Sequence, residues 1–136
     1  MKSRKATTVL LLAFSLTLVL VFIWGNSVLT GIESYNIMKS IFGEMTDEFR
    51  ITVRKIVHVV EFFVLGVILL KVFRSRFFVL VAGLNIALID EFLQTLSPGR
   101  YGSFKDVMID FIGILLVVIF IQGGNDDGEV TRPDHR

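Results

Sequence analysis

The sequence predicts an all-α membrane protein: a four-transmembrane-helix bundle with a short amphipathic interfacial helix between helices 1 and 2. Three observations predict it. Four long apolar runs raise the mean hydropathy to +0.70, with 53% hydrophobic residues, too apolar for an ordinary soluble domain. Short basic clusters flank the first runs. Charged residues also interrupt the later runs at one shared level, where carboxylates cost roughly 2.5 kcal/mol or more each near a bilayer centre.

The first run, residues 6–23, carries no charge and follows Lys2, Arg4 and Lys5. Its length suits a hydrocarbon layer ~30 Å thick at about 1.5 Å per residue. A signal peptide would have a shorter apolar core and a small-residue cleavage site. Here Trp24 follows, a residue that favours the membrane interface. The expectation is a retained first span.

Residues 25–54 form a polar connection with an amphipathic middle. Met38, Ile41, Phe42, Met45 and Phe49 recur at helical spacing beside Glu44, Asp47, Glu48 and Arg50. That pattern predicts one helix lying at the membrane surface or docked over the mouth of the bundle.

The second span covers 55–73, interrupted by His58 and Glu61 and closed by Lys71, Arg74 and Arg76. The third covers 77–96, with Asp90, Glu91 and Gln94 near its end and a break at Ser97-Pro98-Gly99. The fourth covers 107–121 with Asp110 inside it. Ser103 and Asp106 fit a capping box at its start. Residues 1–122 are read as one domain, and the Gly-, Asn- and Asp-rich 123–136 as a disordered tail.

Lys and Arg favour the cytoplasmic side. An inside N-terminus places Lys2, Arg4, Lys5, Lys71, Arg74, Arg76, Arg132 and Arg136 in the cytoplasm, leaving Lys39, Arg50, Arg54, Lys55, Arg100 and Lys105 outside. Both termini are expected in the cytoplasm. Lys55, His58, Glu61, Asp90, Glu91, Gln94, Asp106 and Asp110 then share the outer half of the bundle.

Faces agree with depth, because residues three or four apart share a helix face. Lys55, His58 and Glu61 form one stripe, Asp90 and Glu91 lie within a turn of Gln94, and Asp106, Asp110 and Gly113 form another. Gly113 allows close helix approach. Polar residues in membrane bundles also serve only to join helices, but that role does not call for this many charges at one level. A water-accessible polar cavity is expected, its acids paired with Lys55, Arg100, Lys105 or protonated His58. The candidate ligand-binding residues are Lys55, His58, Glu91, Gln94, Arg100, Asp106 and Asp110. His58-x-x-Glu61 with Asp90, Glu91 and Asp110 has cation-ligand chemistry, but a structural or gating histidine is the favoured reading, with no metal and no cofactor expected.

The absence of cysteine removes disulfides, thiolate metal sites and thiol nucleophiles. A net charge of +1 leaves no basic footprint, and nucleic acid is not an expected partner.

Three segments resemble the VanZ-like family of small bacterial membrane proteins. They are Asn26-Ser27 with Gly31 and Ser34; Lys55-Ile-Val-His58 followed by Phe62-Phe63 and Leu65-Gly66; and Asp90-Glu91-Phe-Leu-Gln94 with Pro98-Gly99-Arg100, Ser103, Asp106-Val107, Asp110 and Gly113. Asp110 stands where the family often has Asn, and Glu61 is an additional acid. The resemblance implies a four-helix envelope protein of the bacterial cytoplasmic membrane, associated with resistance to the glycopeptide teicoplanin.

Three functions follow as expectations. The first is binding of a polar head group, from a lipid-linked cell-wall precursor or a lipoglycopeptide, with Arg100 suited to carboxylate or phosphate. The second is an intramembrane enzyme with His58 as base, oriented by Glu61 or Glu91. The third is a small carrier, which with four spans needs a homodimer. Membrane lipids are partners in all three.

Overall fold

A computed structural model describes residues 2–29 and 31–121. The tail expected over 123–136 lies outside the described residues. Five helices and no strands make up the described chain: α1 (Lys2–Ser27), α2 (Gly31–Phe42), α3 (Asp47–Phe73), α4 (Arg76–Thr95) and α5 (Phe104–Phe120).

Within α1 the stretch Lys5–Ser27, with α3 (Asp47–Phe73) and α4 (Arg76–Thr95), is long and apolar enough to cross a membrane. At 17 residues α5 is shorter. The large apolar side chains that remain outside, such as Leu10, Phe14 and Phe22 on α1 and Phe77 and Phe92 on α4, suit hydrocarbon rather than water.

The second run begins earlier than its apolar pattern suggests. Thr46 caps α3, accepting from the Phe49 amide at 3.3 Å, and Asp47 and Glu48 occupy the first turn. The cap satisfies an orphan amide, and the acids sit at the positive end of the helix dipole. The expected amphipathic helix is correspondingly divided. Met38, Ile41 and Phe42 belong to α2, whereas Met45 lies in the connection and Phe49 on α3. The break falls at Gly43, whose φ of 78° a side chain would strain. No residue of α2 is buried.

Helix α3 is the centre of the bundle. It packs most extensively against α5 and also against α1 and α4, while α4 completes the set by packing on α5 and α1. Phe62, Leu65, Val79, Val107, Ile114 and Val117 are buried at these contacts. Lipid tails are as apolar as these side chains, so close packing rather than water exclusion holds the helices together. Gly113 shows how: a Cβ there would run into the Val59 carbonyl and the Phe63 amide of α3. Helix α1 is only lightly packed, with 6% of its apolar window buried. Its firm attachment lies elsewhere, at its C-terminal end.

Candidate functional site

That end of α1, the first half of α3, the end of α4 and the start of α5 meet at one end of the bundle, and the polar residues meet there. Asp90 is fully buried at the centre. Ser27 donates its hydroxyl to one Asp90 oxygen, and Gln94 Nε2 donates to the other at 2.8 Å. Gln94 Oε1 in turn accepts from Arg100 Nη2 at 2.9 Å.

Arg100 does more than this. Its Nη1 lies 2.9 Å from the Asn26 carbonyl oxygen, 3.2 Å from that of Ser27 and 3.4 Å from that of Leu29. The last carbonyls of a helix have no internal partner, and a planar cationic fork is well shaped to hold them. Ser97 donates its hydroxyl to the Ser27 carbonyl at 3.2 Å, and the Gly31 amide reaches the Pro98 carbonyl at 3.2 Å. A Cβ on Gly31 would sit 2.9 Å from the Gly99 oxygen, so glycine is required for this close approach. Burial, with Arg54 nearby adding to it, lowers the Arg100 guanidinium from its ordinary value. A guanidinium is basic enough that it keeps its charge at neutral pH despite this.

His58 faces three acids. Its Nδ1 is 3.2 Å from Asp110 Oδ1, 3.8 Å from Glu61 Oε2 and 3.9 Å from Asp90 Oδ2. None of these is a well-aligned hydrogen bond: His58 Nδ1, Glu61 Oε2 and Asp110 Oδ2 are buried without a partner. Glu61 Oε1 accepts weakly from Asn26 Nδ2, at 3.4 Å.

A cavity of about 320 Å³ opens above this cluster, and Lys55, His58, Gln94, Arg100, Asp106 and Asp110 all line it. Arg54 and Tyr101 line it as well. Arg54 was not singled out from the sequence, although its place one residue before Lys55 in a basic pair was the available signal.

Glu91 does not join them. Its Oε1 accepts the Ser103 amide, and it approaches no histidine within ion-pair distance among the described residues. This also revises the capping box. Ser103 does cap α5, accepting from the Lys105 amide at 3.2 Å, but its own amide turns to Glu91 on α4 rather than to Asp106. The expected pairing of acids with Lys55, Arg100 and Lys105 is absent among the described residues. Among the described residues only His58 comes within ion-pair distance of the buried acids, because Arg100 is spent on the carbonyls of α1. Glu61 and Asp90, which the sequence puts at this level without counting them as ligand-binding residues, belong to the cluster, and so do Asn26 and Ser27.

The three sequence segments thus interlock in space: Asn26, Ser27 and Gly31 with Asp90 to Arg100, and His58 with Asp90 and Asp110. The family model described as VanZ/LLP1 matches residues 6–122. The chain belongs to the VanZ/LLP1 family. No curated protein and no solved structure matches it. In this VanZ/LLP1 chain the matched stretch contains every residue of the cluster, and its apolar helices mark it as a membrane protein.

Proposed function

We propose that the chain is a four-span bacterial envelope protein that binds an anionic amphiphile, with the head group in the polar cavity and the tail against the bundle. Helix α5 is the fourth span and α2 lies at the surface. Both termini face the cytoplasm and the cavity opens outward. Lys71, Arg74 and Arg76, at the end away from the cavity, favour this orientation.

The observation that carries the reading is the state of Arg54 and Lys55. Both line the cavity, and neither has a hydrogen bond or an ion-pair partner among the described residues. Unspent cations at a cavity of about 320 Å³ suit a phosphate or carboxylate. An apolar groove of about 610 Å³ runs between α1 and α3 beside the cluster, lined by Phe22, Ile56, Val60 and Glu61 among others. Glu61 lies in the groove wall and His58 in the cavity wall, 3.8 Å apart, so head and tail sites adjoin. A lipid-linked cell-wall precursor and a lipoglycopeptide such as teicoplanin both have this form, and capture of the drug at the membrane would account for a resistance role.

The test is binding of fluorescent teicoplanin, and of a polyprenyl-pyrophosphate-linked cell-wall precursor, to the full chain in nanodiscs. One of the two binds, and the Arg54→Ala/Lys55→Ala pair weakens it at least ~10-fold, since each lost charge-assisted contact is worth about 1.5–3 kcal/mol. Binding no greater than to empty nanodiscs, or unchanged in the double variant, rejects the proposal.

A further inference from the structure

The cluster beneath the cavity gathers more negative charge than its neighbours balance. Asp90, Glu61 and Asp110 surround one ring nitrogen of His58, and no Lys or Arg comes within ion-pair distance of them among the described residues. Ser27 and Gln94 supply Asp90 with hydrogen bonds but no charge. Isolated buried ions are so costly that natural proteins pair them or give them to a metal.

Three of these residues carry unsatisfied atoms, and two of those atoms, His58 Nδ1 and Glu61 Oε2, are 3.8 Å apart. His58 Nδ1, Glu61 Oε2 and Asp110 Oδ2 lack partners, on residues only 7%, 7% and 1% exposed. Side chains this deep rarely leave polar atoms unused.

We propose that His58, Asp90 and Asp110 bind one divalent transition-metal cation. One donor atom from each of His58, Asp90 and Asp110 lies within 4.8 Å of the others. Donors about 2.1 Å from one tetrahedral ion stand roughly 3.4 Å apart, so His58 Nδ1 and Asp110 Oδ1, at 3.2 Å, already fit, and Asp90, 3.9 Å from His58, closes on the ion by moving inward. Asp90 is already oriented as a metal-binding carboxylate should be, with Ser27 and Gln94 holding its oxygens. One imidazole among carboxylates favours Zn²⁺ or Mn²⁺ over Ca²⁺. Because His58 and Asp110 line the cavity, the ion has a route in and an open side facing that space.

The site stands independently of the head-group reading and is tested without it. The full chain is purified in detergent with a tag free of histidine, stripped with chelator and offered Zn²⁺, Mn²⁺ or Mg²⁺ separately. Bound metal is counted after gel filtration, and thermal unfolding is followed with and without ion. The wild type retains one Zn²⁺ or Mn²⁺ per chain and gains thermal stability from it. His58→Gln and Asp110→Asn lose the ion, Gln94→Leu weakens it about 10- to 100-fold through Asp90, and the remote Glu44→Gln keeps it. A wild-type chain that holds none of the three ions overturns the proposal, whatever the variants do. Retention by both His58→Gln and Asp110→Asn overturns it as well.

Discussion

Arg100 Nη1 lies 2.9 Å from the carbonyl oxygen of Asn26, a residue 74 positions earlier. The contact turns the side chain read from sequence as a ligand-binding fork into a clasp on α1. Arg100→Ala removes the donor shared by three carbonyls and Gln94 Oε1, leaving only Ser97 on the Ser27 carbonyl and the Leu29 amide on that of Asn26. It should lower stability by about 1–3 kcal/mol, read by thermal unfolding in detergent. Arg100→Lys recovers only part of the loss, since a point charge lacks the planar fork. Unchanged unfolding of Arg100→Ala would show that α1 is held by other means.

Glu91 separates a structural acid from a reactive one. Its Oε1 accepts the Ser103 amide at the start of α5, and a glutamine can accept the same bond. Glu91→Gln should therefore keep both stability and head-group binding. Glu91→Ala orphans the amide and costs about 1–3 kcal/mol. Loss of binding in a stable Glu91→Gln protein would restore the residue to the site.

Two glycines make an internal comparison. A Cβ at Gly113 meets α3 backbone, which cannot yield, whereas at Gly25 it meets nothing within 4 Å. Gly113→Ala is expected to destabilise by about 1–3 kcal/mol or more through overpacking. Gly25→Ala, in a helix, should be neutral or slightly stabilising, by up to about 1 kcal/mol. Equal effects in unfolding experiments would contradict the α3–α5 contact.

The absence of native cysteine makes orientation directly measurable. Tyr101 is 91% exposed beside the cavity, and Arg74 closes α3 at the other end. In intact cells an impermeant maleimide should label Tyr101→Cys and leave Arg74→Cys untouched until the membrane is opened. The reverse pattern would invert the proposed topology.

Three helices long and apolar enough to cross a membrane were legible, because a long apolar run has few other solutions. Their ends were less so: hydropathy stops at Lys55, yet the helix continues back to Asp47, and the capping signal of Thr46 with two following acids is written in polar residues. The stripe from Met38 to Phe49 is continuous in periodicity, but Gly43 with its positive φ turns the chain in the middle of it. Helical spacing brought His58, Gln94 and Asp110 to one level, since it reports faces within a helix. It cannot report where a loop folds over a neighbour. Arg100 gripping Asn26, and Glu91 reaching Ser103, depend on that long-range closure and had no local signature.

The clasp on α1 also sets an order of assembly. As the chain leaves the ribosome, α1 enters the bilayer long before the arginine that fastens it has been made, and its sparse apolar packing gives it little to rest on. Until the turn before α5 is synthesised, the first helix rests on α3 and α4 alone, without its clasp. Completion of that turn is the moment at which the newborn protein becomes whole.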